Sequence, residues 1–155
     1  MLSATKVQQW IAAFSGEPLS LLRHIKFDQV GVHPTTGEPL NVIEQVNQTW
    51  TLLAALAAAR QLLQLHPEAG GFRLAPGAHA ALPLDIMSEC EGLVGAETCA
   101  VVDPRNNGKL AKDIAKLAAR SERHRYAFFM CPKFPGTVRR TELDKDGVQV
   151  WSVDL

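Results

Sequence analysis

Two acidic residues in the middle of the chain have the types and the spacing of a metal-binding pair. Asp85 lies at the start of one apolar run, "PLDIM", and Glu97 lies inside the next, "GAETCAVV". If these runs form a β-hairpin whose turn is centred on Glu91, Asp85 and Glu97 face each other and their side chains share one face of the sheet. Two converging carboxylates supply the oxygen ligands that a hard divalent cation prefers.

Other roles are open for these acids. Glu97 lies in a buried-looking strand, and because a lone buried carboxylate is costly, it needs a metal ion, a basic partner or a proton. Asp85 stands at a strand start, where an Asp often accepts hydrogen bonds from nearby backbone N–H groups. A turn shifted toward Val94 would place Glu89 near Glu97, so Glu89 is a reserve candidate.

The elements that must position these residues follow from hydrophobic periodicity and turn residues. The pattern predicts an N-terminal helix and a loop within residues 1–40, then a long helix capped by Asn41. Alternating or continuous apolar runs predict the strands, and Val148–Val153 is expected to be an edge strand. The predicted elements are a helix over Ser3–Phe14, a helix over Asn41–Leu65, strands over Phe72–Leu74, Leu84–Glu89 and Leu93–Val102, a helix over Gly108–Arg120, and strands over Tyr126–Cys131 and Val148–Val153. This order predicts an α/β fold with a mixed central sheet flanked by helices.

The order of elements and the two hairpin acids resemble the PD-(D/E)xK nuclease-like superfamily, which includes restriction endonucleases. The resemblance covers residues 41–131 and implies a restriction-endonuclease-like α-β-β-β-α-β core. It implies that Asp85 and Glu97 hold Mg²⁺ or Mn²⁺, together with the backbone carbonyl of Thr98 and with Glu44 from the preceding helix. Glu44 has a simpler alternative role, the return half of a capping box with Asn41.

The chain departs from the motif at the lysine that normally follows the second acid by two residues, because Cys99 stands there. Lys109 and Lys112, at the start of the next helix, are the candidates for a displaced catalytic lysine. The resemblance therefore implies a metal-dependent nuclease acting on DNA or RNA. The alternative is a nuclease fold without catalysis that serves as a nucleic-acid-binding or protein-assembly module. The sequence leaves open whether the protein is an enzyme.

The basic residues are unevenly distributed, although the net charge of the chain is zero. Residues 105–140 contain ten Lys and Arg against two acids, a net charge of +8. Five of these basic residues fall within about 80° of arc on a helix and form a predicted nucleic-acid-binding stripe, in which they could follow a phosphate backbone. They are Lys109, Lys112, Lys116, Arg120 and Arg123. An ordinary solvated helix face is the alternative explanation.

Cys99 could also be a nucleophile with His124 or His79 as its base, but no spacing supports such a dyad, and a small buried cysteine is the commoner case. The three cysteines have no CxxC spacing, which favours a reduced, cytoplasmic protein.

The 155 residues suit a single domain over 1–155, with a C-terminal strand region at 132–155. The sequence contains no apolar run long enough for a membrane helix. The final segment, "GVQVWSVDL", could pair edge to edge with a second copy, which would produce a homo-oligomer.

Overall fold

The computed structural model describes residues 2–75, 82–105 and 108–155. The chain divides into two units, one up to Trp50 and one from Thr51 onward. The single domain predicted over residues 1–155 stays a prediction.

The first unit contains a helix that the sequence analysis missed. α1 (Leu2–Ala13) is followed by α2 (Pro18–Phe27), where only a loop was predicted. Pro18 lies at the first position of α2. Proline is tolerated there because its missing N–H would have no helical partner, so Pro18 suits the start of α2. A two-stranded antiparallel hairpin follows, formed by β1 (Gly31–Val32) and β2 (Pro39–Leu40).

The longest helix is α3 (Val42–Leu65), close to its predicted bounds. Asn41 caps it, because its Oδ1 accepts the backbone N–H of Glu44 at 2.8 Å. His66 and Pro67 follow its end. Among the described residues, no helix is long and apolar enough to cross a membrane.

The second unit is built on a six-stranded mixed sheet with strand order β3-β4-β5-β6-β8-β7. The first three strands form an antiparallel meander, β5, β6 and β8 are parallel, and β7 is antiparallel to β8. The strands are β3 (Phe72–Leu74), β4 (Ile86–Ser88), β5 (Val94–Ala100), β6 (His124–Met130), β7 (Val138–Arg139) and β8 (Gln149–Ser152).

Each face of the sheet packs against a different helix. On one face, Ala54, Ala58 and Leu62 of α3 pack with alternate residues of β5 and β6. On the other face, the apolar residues of α4 (Lys109–Ala118) pack with Cys99 and Phe129. β5 and β6 lie at the centre of the sheet, which explains why both are almost continuously buried. The predicted α/β fold with a mixed sheet flanked by helices is confirmed at this level.

The last strand is not at the edge of the sheet, as the sequence analysis expected. β8 is hydrogen-bonded to β6 on one side and to β7 on the other. Its alternating pattern suited an edge strand, but the short β7 covers its second side. The predicted edge-to-edge pairing of "GVQVWSVDL" with a second copy was therefore wrong in its premise.

Candidate functional site: an acidic cluster on the hairpin

The hairpin of β4 and β5 brings Asp85 and Glu97 together. Ile86 pairs with Ala96 and Met87 pairs with Gly95, and the same register continued by one residue sets Asp85 opposite Glu97. This register agrees with a turn centred on Glu91 and does not place Glu89 opposite Glu97. Glu89 Oε1 instead lies 3.6 Å from Arg73 Nε, and the Glu89 side chain is half exposed.

Asp85 lies just before the first residue of β4, and its side chain is hydrogen-bonded to β5. Its Oδ2 accepts the backbone N–H of Thr98 at 2.9 Å and the Thr98 hydroxyl at 3.0 Å. These bonds hold the Asp85 carboxylate against the middle of β5. They engage the N–H and the hydroxyl of Thr98, whereas the resemblance had assigned a role to its carbonyl, which stays a prediction.

Glu97 is a buried carboxylate with a basic partner. Only 4% of the residue is exposed, and its Oε1 accepts a hydrogen bond from Lys116 Nζ at 2.6 Å. Burial raises the pKa of Glu97, the hydrogen bond from Lys116 opposes that rise, and the negative charge of Asp85 adds to it. Burial is therefore the dominant influence on Glu97, and the contact with Lys116 only partly offsets it.

A third buried acid, Asp113, reaches the same region from α4. Its Oδ1 accepts a hydrogen bond from Lys109 Nζ at 2.5 Å. Burial raises the pKa of Asp113, Lys109 lowers it, and the charge of Asp85 raises it further. We use the term acidic cluster for Asp85, Glu97 and Asp113 together.

The sequence analysis did not include Asp113 in the site, although a signal for it was present. The buried face of α4 consists of Leu110, Asp113, Ile114 and Leu117. These positions follow the spacing i, i+3, i+4 and i+7, which is the apolar stripe of an amphipathic helix. The position of Asp113 in this stripe therefore indicates that its side chain is buried. The charge count had treated Asp113 only as a negative charge among basic residues.

The three lysines of α4 differ in their contacts with the acidic cluster. Lys112 is exposed and forms no ion pair among the described residues, and its catalytic role stays a prediction. Lys109 joins the cluster through Asp113. Burial is the largest single effect on its pKa and lowers it, but the hydrogen bond to Asp113 and the nearby negative charges together raise the pKa overall. Lys116, which was assigned only to nucleic-acid binding, is the lysine that contacts Glu97.

Cys99 occupies the expected lysine position without acting as a thiolate. The residue is 4% exposed, and burial raises the pKa of its thiol to about 12, with a further contribution from the charge of Asp113. The thiol is therefore protonated at neutral pH and is a poor nucleophile. His124 pairs with Val94, on the opposite sheet face from Cys99, so it cannot be its base. His79 lies outside the described residues.

Glu44, the remaining predicted ligand, lies in the first unit at the start of α3. Its side chain is exposed, and its backbone N–H is bound by Asn41. This bond is the Asn41 half of a capping box, and both the return half by the Glu44 side chain and the ligand role stay predictions.

The predicted cationic stripe does not form one continuous helical surface. α4 ends at Ala118, so Arg120 and Arg123 lie beyond it. Arg120 is 2.6 Å from buried Glu122, in the same way that Lys109 and Lys116 face buried acids. Three of the five basic residues therefore pair with buried carboxylates, which lie on α4, on β5 and in the segment after α4, and nucleic-acid binding by the stripe stays a prediction.

The donor set of the acidic cluster fits a hard divalent cation. All of its ligand atoms are carboxylate oxygens, which suit Mg²⁺ or Mn²⁺. Asp113 Oδ2 is buried without a hydrogen-bond partner among the described residues. In the described part of the chain, no group of three His, Cys, Asp or Glu side chains is arranged to hold a metal ion, and Glu97 and Asp113 are each ion-paired with a lysine.

Comparisons with models of known protein families, with curated proteins and with solved structures find no significant match for the chain.

Proposed function

We propose that this protein is a metal-dependent phosphodiester hydrolase with a restriction-endonuclease-like core, acting on DNA or RNA. The carrying observation is the pairing of two buried carboxylates in one hairpin register with a lysine at hydrogen-bond distance from the second. The element order α3-β3-β4-β5-α4-β6 supports the α-β-β-β-α-β core.

Each residue has a distinct role in the proposed reaction. Asp85 and Glu97 bind the Mg²⁺ or Mn²⁺ ion, which when bound polarises the phosphoryl oxygen and acidifies the attacking water. The hydrogen bonds from Thr98 fix the rotamer of Asp85, so its free oxygen is positioned before the ion arrives. Lys116 supplies the positive charge that the motif places at position 99, and it stabilises the charge that develops on the phosphoryl group.

Lys116 suits this role because of its exposure. Its side chain is 49% exposed, whereas that of Glu97 is 5% exposed. The ammonium group therefore lies at the boundary between the buried carboxylate and solvent, which is where a phosphodiester would approach. Cys99, at the motif position of the lysine, is only 4% exposed.

A nuclease fold without catalysis is the second candidate, and one observation favours it. The contact between Lys116 and Glu97 satisfies the buried carboxylate without any metal ion. In that case the lysine is a structural partner, and the protein is a nucleic-acid-binding or assembly module.

Titration calorimetry with Mn²⁺ and Mg²⁺ separates the two functions when it is combined with cleavage assays on single- and double-stranded DNA and RNA. We expect saturable Mn²⁺ binding by the wild type and binding at least about 100-fold weaker in Asp85→Asn and Glu97→Gln. Cleavage should be lost in the same variants. Asp103→Asn is the matched control, because Asp103 is ion-paired with Lys133 away from the hairpin. Wild-type protein that neither binds metal nor cleaves any of the four substrates would support the second candidate.

A further inference from the structure

Two arginine side chains from distant parts of the chain lie against one aromatic ring. The guanidinium carbon of Arg105 is 6.0 Å from the centroid of the Phe134 ring, and that of Arg140 is 5.3 Å from the same centroid. We call Arg105 and Arg140 the arginine pair. Contact with the ring stabilises each cation but brings no negative charge to it, so a neutral group holds the two positive charges near each other.

Arg140 is fixed in place by neutral hydrogen-bond acceptors. Its Nε donates a hydrogen bond to Ser152 Oγ at 3.0 Å, and its Nη2 donates one to the carbonyl of Pro135 at 3.1 Å. Ser152 is fully buried, so the first of these bonds ties the guanidinium group to β8. An arginine has five N–H donors, and a guanidinium group held in this way keeps donors for a bidentate anionic ligand.

The arginine pair lacks a counter-ion in the described part of the chain, where neither guanidinium group forms an ion pair with a carboxylate. The nearby acid Asp103 is already engaged, because its Oδ1 accepts the backbone N–H of Arg105 at 3.0 Å and its Oδ2 accepts a hydrogen bond from Lys133 Nζ at 2.8 Å. Asp103, Lys133 and the arginine pair together carry a net charge of +2. An anion would complete this arrangement, whereas a further cation would be repelled.

The position of the arginine pair relates it to the hairpin acids. Phe134 packs against the apolar cluster between α4 and the sheet, and that cluster contains Cys99. Cys99 and Glu97 are two residues apart on β5, so they share this face of the sheet. Arg105 follows the carboxyl end of β5, and Phe134 follows that of the parallel strand β6. The carboxyl ends of parallel strands are where α/β sheets commonly bind ligands.

Resting on the proposed function, we propose that the arginine pair binds a backbone phosphate of the nucleic-acid substrate, away from the bond that is cleaved. Guanidinium groups suit a phosphodiester because their N–H donors lie in a plane that matches two phosphate oxygens. Such a contact reads no base sequence and instead fixes the register of the strand relative to the hairpin acids. It needs no metal ion, so it can be measured apart from cleavage.

Fluorescence anisotropy of the full chain in EDTA tests the contact without metal or cleavage. The probe is a fluorescein-labelled single-stranded oligonucleotide, of DNA in one series and of RNA in the other, because both contain the same phosphate groups. Arg105→Gln and Arg140→Gln should each weaken binding about fivefold and make the slope of log affinity against log salt shallower by about 0.7. Arg60→Gln, on the exposed side of α3, is the matched control with the same charge change and should alter neither quantity.

Four results would overturn the inference. They are unchanged binding in both variants of the arginine pair, an equal loss in Arg60→Gln, no binding of either oligonucleotide by the wild type, and displacement of the probe by poly-glutamate as effectively as by unlabelled oligonucleotide. Thermal unfolding checks that the variants are folded. The Arg105 side chain is exposed, so Arg105→Gln keeps the test valid if Arg140→Gln proves unstable.

The outcomes also separate this inference from the proposed function. If the wild type cleaves nucleic acid with Mn²⁺ while both variants of the arginine pair bind the oligonucleotides normally, the arginine pair fails and the hydrolase stands. If the wild type binds in EDTA through the arginine pair but cleaves nothing with Mn²⁺, the hydrolase fails, and the arginine pair stands as part of a nucleic-acid-binding module.

Discussion

Lys116 Nζ lies 2.6 Å from Glu97 Oε1 and joins the last turn of α4 to the middle of β5. Nineteen residues separate the two along the chain. The buried carboxylate of the hairpin therefore receives its cation from a helix, while the strand position two residues after Glu97 holds a protonated thiol.

Lys116→Met should reduce phosphodiester cleavage by roughly 100-fold, because a positioned charge that stabilises the transition state is lost. Lys112→Met is the matched control on the same helix and should stay within about twofold of the wild type, because Lys112 is exposed and outside the cluster. Initial rates at saturating Mn²⁺ measure both effects. Equal rates for Lys116→Met and the wild type would remove Lys116 from the reaction.

Cys99→Ala should retain nearly full activity, because the pKa of the Cys99 thiol is raised to about 12 and the group supplies no thiolate. Removing a buried sulfur should cost about 1 kcal/mol in the free energy of unfolding. In the folded wild type, a thiol reagent at pH 8 should modify exposed Cys90 quickly and Cys99 slowly. Loss of activity in a folded Cys99→Ala protein would revive the nucleophile hypothesis.

Gly95→Ala should destabilise the second unit by about 1–3 kcal/mol, because overpacking a closed core strains its neighbours. A Cβ at position 95 would lie 2.5 Å from Leu84 Cδ1 and 3.1 Å from Glu122 Cγ. Chemical denaturation measures the loss. The double variant Gly95→Ala/Leu84→Val should lose less free energy of unfolding than the two single variants lose together, because the shorter side chain makes room for the new methyl group. Strict additivity would argue against the clash.

Glu122→Gln should lower stability at neutral pH by about 1 kcal/mol and have little effect in acid. The hydrogen bond from Arg120 lowers the pKa of Glu122 below its ordinary value, although burial opposes this. A carboxylate whose pKa is lower in the folded state stabilises the protein above its unfolded pKa of about 4.3, and the benefit is lost as pH falls through the folded pKa. Thermal unfolding from pH 7 to pH 3 should therefore show the two proteins converging in acid.

The control for this pH series is Glu91→Gln, in the exposed turn of the hairpin. It should follow the wild-type curve throughout. A constant difference between Glu122→Gln and the wild type at every pH would indicate a packing defect in place of a lost charge.

Local patterns were enough to predict the elements around the acidic cluster. The apolar runs on either side of Gly92 predicted the hairpin, and the pairing of Met87 with Gly95 agrees with the predicted register. Gly92 has a φ of 72°, which a glycine adopts without strain, so the turn could be placed from composition. The apolar stripe of α4 was also predicted, because helical spacing is a property of neighbouring residues.

The lysine partners of the buried acids could not be predicted from local sequence patterns. Lys109, Lys112 and Lys116 have similar local surroundings in the sequence, yet Lys109 contacts Asp113, Lys116 contacts Glu97, and Lys112 forms no ion pair among the described residues. Which of them reaches the sheet depends on the rotation and the height at which α4 packs on β5. Side-chain volumes across the whole interface set that geometry.

The sequence by itself determined where the strands, the hairpin register and the buried face of α4 lie, because periodicity and turn residues act over a few neighbouring positions. Only the tertiary structure decided that Asp113 is buried against the sheet, that Lys116 contacts Glu97, and that β8 lies between β6 and β7. Each of these depends on contacts between residues distant in the chain, and such contacts are set by the packing of complete elements.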